Sequence, residues 1–265
     1  MRTVLENNIW FCENLEKYTQ LEGKTILDIG CGNGDLVKHI ANKYEPNYIV
    51  GIDPALDEWE TKASIGNNWE IQFGDAHGLE FPDNYFDVIV SFSTFEHILN
   101  IENALNEVRR VLKPYGRFYT EFAPIWTSAA GHHFIHGNDR WWTVKHLLCI
   151  PPWAHLYMSE HEMRQLLKNN MRDTELTNEI IFFIYHSNVI NRCSYSSLSY
   201  SIMNSGMIIR AYEERISFNR LGLISGERDS ELSRDIVERI NETEYKINDL
   251  GVAGLRVCLE KYASI

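Results

Sequence analysis

The stretch Ile26-Leu27-Asp28-Ile29-Gly30-Cys31-Gly32-Asn33-Gly34-Asp35-Leu36 concentrates residue types that can hold a small ligand by backbone and by charge. Glycines at alternate positions let the chain turn sharply and let a ligand lie against bare peptide. The apolar spacing that follows (Leu36, Val37, Ile40, Ala41) predicts a helix whose first amides point at the same place. Asp28 stands just ahead of the turn. A carboxylate there suits a ligand carrying an ammonium and repels a pyrophosphate. The loop is thereby set apart from the dinucleotide fingerprint Gly-x-Gly-x-x-Gly, which holds phosphates.

Three further positions fall where strands are expected to end. Asp53 follows the loop by about 20 residues, a spacing at which a carboxylate takes ribose hydroxyls. Asp75-Ala76 is a candidate for the amino group and ring edge of an adenine. Ser91-Phe92-Ser93 lines a pocket floor. Each is weak alone; their order and spacing carry the signal.

The elements that must position them read as strand–helix alternation. Helical spacing covers 3–20; strands are expected at 25–30, 48–52, 69–73, 87–92 and 117–122, with helices at 34–43, 57–63 and 101–112. Lys113-Pro114-Tyr115-Gly116 closes the last of these helices. Such alternation predicts an α/β fold, doubly wound, with a mostly parallel sheet and helices on both faces. Beyond 122 the composition changes. Residues 124–152 are rich in Trp, His and Gly, 159–169 return to helix, and 179–186 read as a long apolar strand. Residues 188–248 read as mostly helical, and 252–259 as a last strand.

Bulk properties narrow the function classes. The chain has 265 residues, enough for one α/β domain with an inserted region. The net charge of −12 leaves little to gain from phosphate counterion release, so nucleic acid is not an expected partner. No apolar run approaches the roughly 20 residues of a membrane span. Five scattered cysteines (Cys12, Cys31, Cys149, Cys193, Cys258) without a Cys-x-x-Cys pair predict reduced thiols and a cytoplasmic protein.

Six segments in one order resemble the class I S-adenosylmethionine-dependent methyltransferases, in particular the bacterial small-molecule branch that includes quinone-type enzymes. They are Leu27 to Gly34, Gly51-Ile52-Asp53, Gly74-Asp75-Ala76, Phe81 to Ile89, Phe95-Glu96-His97-Ile98 and Glu107 to Gly116. The resemblance covers residues 22–122; Tyr115 departs from it, standing where the family usually has Gly. It implies a seven-stranded sheet with an antiparallel final hairpin, here 179–186 with 252–259. It implies S-adenosylmethionine as cofactor and S-adenosylhomocysteine as product. The cofactor-binding set is then Asp28, Gly30, Cys31, Gly32, Gly34, Asp53, Pro54, Asp75, Ala76 and Ser91. Asp28 and the loop take the methionine part, Asp53 the ribose, and Asp75 with Ala76 the adenine.

The same resemblance implies a single methyltransferase domain over 1–265, with 1–122 as the cofactor-binding half. Residues 123–157 and 187–250 are then acceptor-site or cap insertions. The acceptor is expected to be a small polar metabolite, methylated on oxygen, with no metal. Transfer to a neutral hydroxyl benefits from a base. His133, His132 and His97 are the candidates. Residues Gly131-His132-His133 with His136 and Asp139 match no standard zinc spacing. N-methylation of a small amine and a non-catalytic cofactor-binding scaffold are the alternatives. Trp126, Trp141, Trp142 and Trp153 are read as a pocket wall or a small lid core. Trp10, Phe11 and Tyr18 are lid candidates on the first helix, and Arg140, Arg164, Arg192 and Arg210 are anion-binding candidates. A homodimer is left open.

Overall fold

Strand β1 (Thr25–Ile29) is buried from Ile26 onward, as an apolar run covered on both faces must be. It pairs in parallel with β2 (Tyr48–Asp53) on one side, and β2 pairs with β4 (Trp69–Phe73) beyond it. The two-residue β3 (Ser64–Ile65) adds antiparallel to β4 at the edge. On its other side β1 pairs in parallel with β5 (Phe86–Phe92), and β5 with β6 (Leu112–Phe122). Strand β8 (Val252–Glu260) is antiparallel to β6, and β7 (Ile208–Ile216) is the far edge. The described sheet therefore runs β3-β4-β2-β1-β5-β6-β8-β7. With the short β3 set aside, seven strands remain in the order expected of a class I methyltransferase sheet, with the last strand antiparallel. The computed structural model describes residues 3–56, 64–134, 150–170, 173–216, 230–245 and 247–263.

Helices α1 (Val4–Leu15), α2 (Asp35–Tyr44) and α3 (Ile101–Val111) serve the sheet. Thr3 and Glu6 form a reciprocal capping box that starts α1. Asn100 caps α3 through the Asn103 amide. Phe11, Leu15, Val37 and Ile40 join Ile26 and Tyr119 in one core. The helix expected over 3–20 ends at Leu15, and the one expected over 57–63 lies outside the described residues.

Two expectations are corrected. Residues 179–186 are not a strand; 179–185 belong to helix α6 (Thr174–Tyr185), which His186 ends and Asp173 caps through the Leu176 amide. Thr177, Ile180, Ile181 and Ile184 form its buried stripe, whereas Phe182 is 61% exposed. A short apolar run has both periodicities, and the packing partners decide between them. The neighbour of β8 opposite β6 is consequently β7, which lies inside the stretch read as helical; its charged residues mark a sheet edge. In addition, β6 begins at Leu112 rather than at 117. Its register shifts against β5 where Tyr115 takes φ +63, so the expected turn is a kink within the strand.

The chain divides into two units. The first comprises Met1–Phe122, Ser199–Glu213 and Leu255–Ile265, and the second Ala123–Leu198 and Glu214–Gly254. The second contains α4 (Ala154–Tyr157), α5 (Glu160–Asn170), α6 and α8 (Ser230–Asn241); α7 (Tyr195–Met203) runs across the boundary. Trp126 and Trp153 sit with Met163, Ile181, Ile184 and Leu250 in the second unit's own apolar core. Both tryptophans are thus core residues of that unit; Trp141 and Trp142 lie outside the described residues. No described helix is long and apolar enough to cross a membrane.

Candidate functional site

From β1 the order steps outward to β2 and β4 on one side, while β5 and β6 occupy the other. The carboxyl ends of β1 and β5 therefore flank the switch point, where open α/β sheets bind ligands. A cavity of about 200 Å³ opens there. Asp28 and Gly30 reach it from β1 and its turn, Asn33 from the loop, Ser93 from beyond β5, and Asn7 and Asn8 from α1.

The loop is built as the alternate glycines require. Gly30, Gly32 and Gly34 have φ of +78, +53 and +78, the left-handed region. At Gly30 the need is steric as well, because an added Cβ would lie 2.2 Å from Thr94 Cγ2 and Oγ1. The Gly30 and Cys31 amides both donate to the Ile52 carbonyl (2.8 and 3.0 Å), which ties the turn to β2. Cys31 is buried, and burial with the charges of Asp28 and Asp53 pushes its thiol up, so it packs rather than reacts.

The two acids differ sharply. Asp53, at the end of β2, accepts the Gly32 amide on Oδ2 and the Ala55 amide on Oδ1, both at 2.9 Å. Each oxygen keeps a lone pair for a further donor. Asp28 is 1% exposed, and no donor among the described residues reaches either of its oxygens. Burial, and then the charge of Asp53, raises its carboxyl to about 8.

Asp75 is half exposed, and its Oδ1 accepts the His77 amide (2.9 Å) and lies 2.6 Å from His77 Nδ1. Because the Asn100 amide donates to His77 Nε2, Nδ1 carries the proton and donates to Asp75. Asp75 thus joins the end of β4 to the start of α3. Ala76 is buried and Pro54 exposed. Ser91 is fully buried and its hydroxyl donates to the Ile29 carbonyl, so Phe92 and Ser93 line the cavity there.

His97 is half-buried and follows β5; its amide donates to the Thr94 carbonyl. His132 and His133 belong to the second unit, both buried, with His133 at φ +51. His132 Nδ1 accepts the Phe134 amide at 3.2 Å, and burial holds its ring down to about 3. Its ring lies 5.5 Å from that of His155, whose Nε2–H donates to the Trp126 carbonyl and whose ionisation is held down to about 4. His136, Asp139 and Arg140 lie outside the described residues. Arg164 is engaged by Glu160 and Asn178, Arg192 by the Ile184 and Ser187 carbonyls, and Arg210 by Glu260. Each of these three thus has partners within the chain.

The buried histidines give a pH-dependent stability with a definite sign. An unfolded histidine protonates near about 6.5, while these two remain neutral in the fold, so acid favours the unfolded chain. Gln at position 155 keeps a donor for Trp126 without titrating. Relative to His155→Gln, the wild type is expected to match at pH 7.5 and to lose about 1.4 kcal/mol per pH unit below about 6.5. Urea unfolding of both proteins at pH 7.5, 5.5 and 4.5 checks this. A gap that does not vary with pH refutes it.

Sequence reasoning missed Asn7, Asn8 and Thr94; Ser93 belongs to the pocket floor expected from sequence, and Asn33 enters that reading only as part of the glycine loop. The signal for Asn7 and Asn8 was their helical spacing from the buried Phe11, four and three residues on, with Asn8 itself buried and Asn7 half-buried. Of the lid candidates, Phe11 is a core residue against Phe92 and Tyr119, Trp10 lies under Arg256, and Tyr18, past the end of α1, packs on Tyr119.

A family profile described as a methyltransferase domain matches residues 27–120. The fatty-acid O-methyltransferase of Mycolicibacterium smegmatis is 34% identical over 107 residues, covering 39% of this chain and 39% of that protein. The ubiquinone/menaquinone biosynthesis C-methyltransferase UbiE of Burkholderia mallei is 35% identical over 117 residues, covering 39% of this chain and 45% of that protein. The chain thus spans less than half the length of these curated relatives. A solved S-adenosylmethionine-dependent methyltransferase from Mesorhizobium loti has a TM-score of 0.55 and 16% identity, over 96% of this chain and 98% of that one. That is a likeness of fold.

Proposed function

We propose the following for a chain that is a class I S-adenosylmethionine-dependent methyltransferase over residues 27–120. It transfers a methyl group from S-adenosylmethionine to an oxygen of a small polar metabolite and leaves S-adenosylhomocysteine. The observation that carries the reading is Asp28, a buried carboxyl that no donor among the described residues reaches, opening on a cavity at the switch point of the sheet. Burying a lone carboxyl costs several kcal/mol unless a partner satisfies it, and the ammonium of a methionine chain is such a partner. The residues present therefore fit the cofactor.

Asp28 and the loop from Gly30 through Cys31 and Gly32 to Gly34 would hold the methionine part. Asp53, with Pro54 behind it, would take the ribose on its remaining lone pairs. Asp75 and Ala76 would meet the adenine, and Ser91 would hold the floor by fixing the end of β1. When bound, S-adenosylmethionine supplies an electrophilic methyl on a sulfonium, so the chain's own task is to align an acceptor and receive its proton. We assign acceptor recognition to the second unit, within which 123–157 and 187–250 fall in large part. His133 is the preferred base, with His97 next. His132 is the weakest, because its Nδ1 is taken by Phe134 and its ring resists protonation. The two curated relatives are an O- and a C-methyltransferase by name, and an oxygen acceptor accords with the first.

The test is a thermal-shift comparison of S-adenosylhomocysteine with NAD, followed by transfer of labelled methyl to panels of hydroxylated compounds and amines. S-adenosylhomocysteine alone should stabilise the protein. His133→Ala should lower O-transfer roughly 100- to 10,000-fold. Stabilisation by NAD alone would reject the cofactor. Transfer to amines that is indifferent to His133→Ala would replace oxygen by nitrogen.

A further inference from the structure

Asp28 is distinguished from the other acids of the site by what surrounds it. On β2, Gly51 is its neighbour in register, and Asp53 is the acid whose charge acts on it. On β5, Val90 lies opposite and the Ser91 hydroxyl is spent on Ile29. The loop contributes the Cys31 thiol, held neutral, and the exposed Asp35 begins α2. The Lys38 ammonium donates to the Asn33 carbonyl and sits 5.7 Å over the Trp69 ring. From α1 come the neutral Asn7 and Asn8, and Cys12, whose thiol burial pushes up to about 12. Among the described residues, then, a carboxylate at position 28 would meet a second negative charge and no cation. Buried in that way, a carboxyl keeps its proton.

We propose that Asp28 is a neutral carboxylic acid until a ligand's ammonium is seated beside it, and that seating the ammonium drives the proton from Asp28 into solvent. The inference rests on the cofactor reading above and deepens it. The O–H bond of Asp28 breaks, the proton passes to buffer, and the carboxylate pairs with an ammonium that keeps all of its own protons. Desolvation of a bare carboxylate is thereby deferred to the moment a partner arrives. The cleft becomes selective: a ligand without an ammonium meets a neutral acid and gains no ion pair. Because the free site binds one more proton than the complex, affinity for an ammonium-bearing ligand rises tenfold per pH unit while the free acid stays protonated.

Isothermal titration calorimetry of the full chain with S-adenosylhomocysteine tests this at pH 6.5, where the ligand's amino group is protonated. The slope of binding enthalpy against buffer ionisation enthalpy, across PIPES, ACES and imidazole, counts protons. Close to one proton released per site is expected, with a roughly tenfold gain in affinity from pH 6.0 to 7.0. 5′-Methylthioadenosine, which lacks the amino-acid chain, should release none. Asp28→Asn should bind S-adenosylhomocysteine more weakly, with no release and no pH slope. Tight binding of S-adenosylhomocysteine without proton release, equal release with 5′-methylthioadenosine, or release that survives in Asp28→Asn each overturns the proposal and leaves the cofactor reading standing. Failure of S-adenosylhomocysteine to bind at all removes the cofactor reading instead. The comparison of the two ligands on the wild-type chain decides the matter whether or not Asp28→Asn folds.

Discussion

Replacing Asp53 with alanine is expected to weaken S-adenosylhomocysteine binding roughly 100- to 1,000-fold. Two losses combine. The Gly32 and Ala55 amides, which now donate to Asp53 at 2.9 Å, lose their acceptor, so the glycine loop is no longer tied to the end of β2 by this side chain. The lone pairs assigned to the ribose hydroxyls vanish with them. Hydrogen bonds to a charged group are worth about 1.5–3 kcal/mol each, so two ribose contacts near the lower end of that span, about 3–4 kcal/mol together, account for the expected range. Asp53→Asn keeps an oxygen for one amide and should fall between wild type and alanine. Calorimetric affinity for S-adenosylhomocysteine in the three proteins is the measurement. Affinity retained in Asp53→Ala would remove the ribose from this position.

Gly30→Ala is expected to cost about 2–4 kcal/mol of stability and to abolish cofactor binding at concentrations that saturate the wild type. A φ of +78 opposes any L side chain, and the added methyl would enter space held by Thr94. Thr94 cannot simply turn aside, because its hydroxyl shares its one proton between the Gly30 and Phe92 carbonyls (3.3 and 3.2 Å) and its own Cβ would lie 2.7 Å from the new one. Against a total stability of about 5–15 kcal/mol this is a large fraction. Thr94→Ala should recover part of the steric cost and none of the backbone cost. The double mutant should therefore be more stable than the sum of the two single changes by about 1 kcal/mol. Urea unfolding of the four proteins closes the cycle; a Gly30→Ala protein within 0.5 kcal/mol of wild type refutes the packing argument.

Legibility in the sequence followed the range of the forces involved. The β1–loop–α2 unit is local: an apolar run, glycines where φ must be positive, and a helical stripe resuming at Leu36. Asp53 was legible for the same reason, since a strand of apolar residues ends at it. The 179–186 run was not. Its eight residues suit either period, and the contacts of Ile180, Ile181 and Ile184 in the second unit's core select the helix. Strand β7 was hidden by the converse effect. An edge strand exposes its charged residues to water, and only its place beside β8 makes it a strand.

At the site the division is the same. The residue types at positions 28, 30 to 34 and 53 carried the expectation of a small ligand with an ammonium and a sugar where the first strand ends, because each type has a chemistry that does not depend on distant neighbours. Only the tertiary structure decided that α1 brings Asn7 and Asn8 to this cavity, that Thr94 fills the space a side chain at Gly30 would need, and that Asp28 has another acid and, among the described residues, no cation near it. Those are facts about which distant segments exclude water from one another, and the charge state of a buried group is set by that exclusion rather than by its neighbours in the chain.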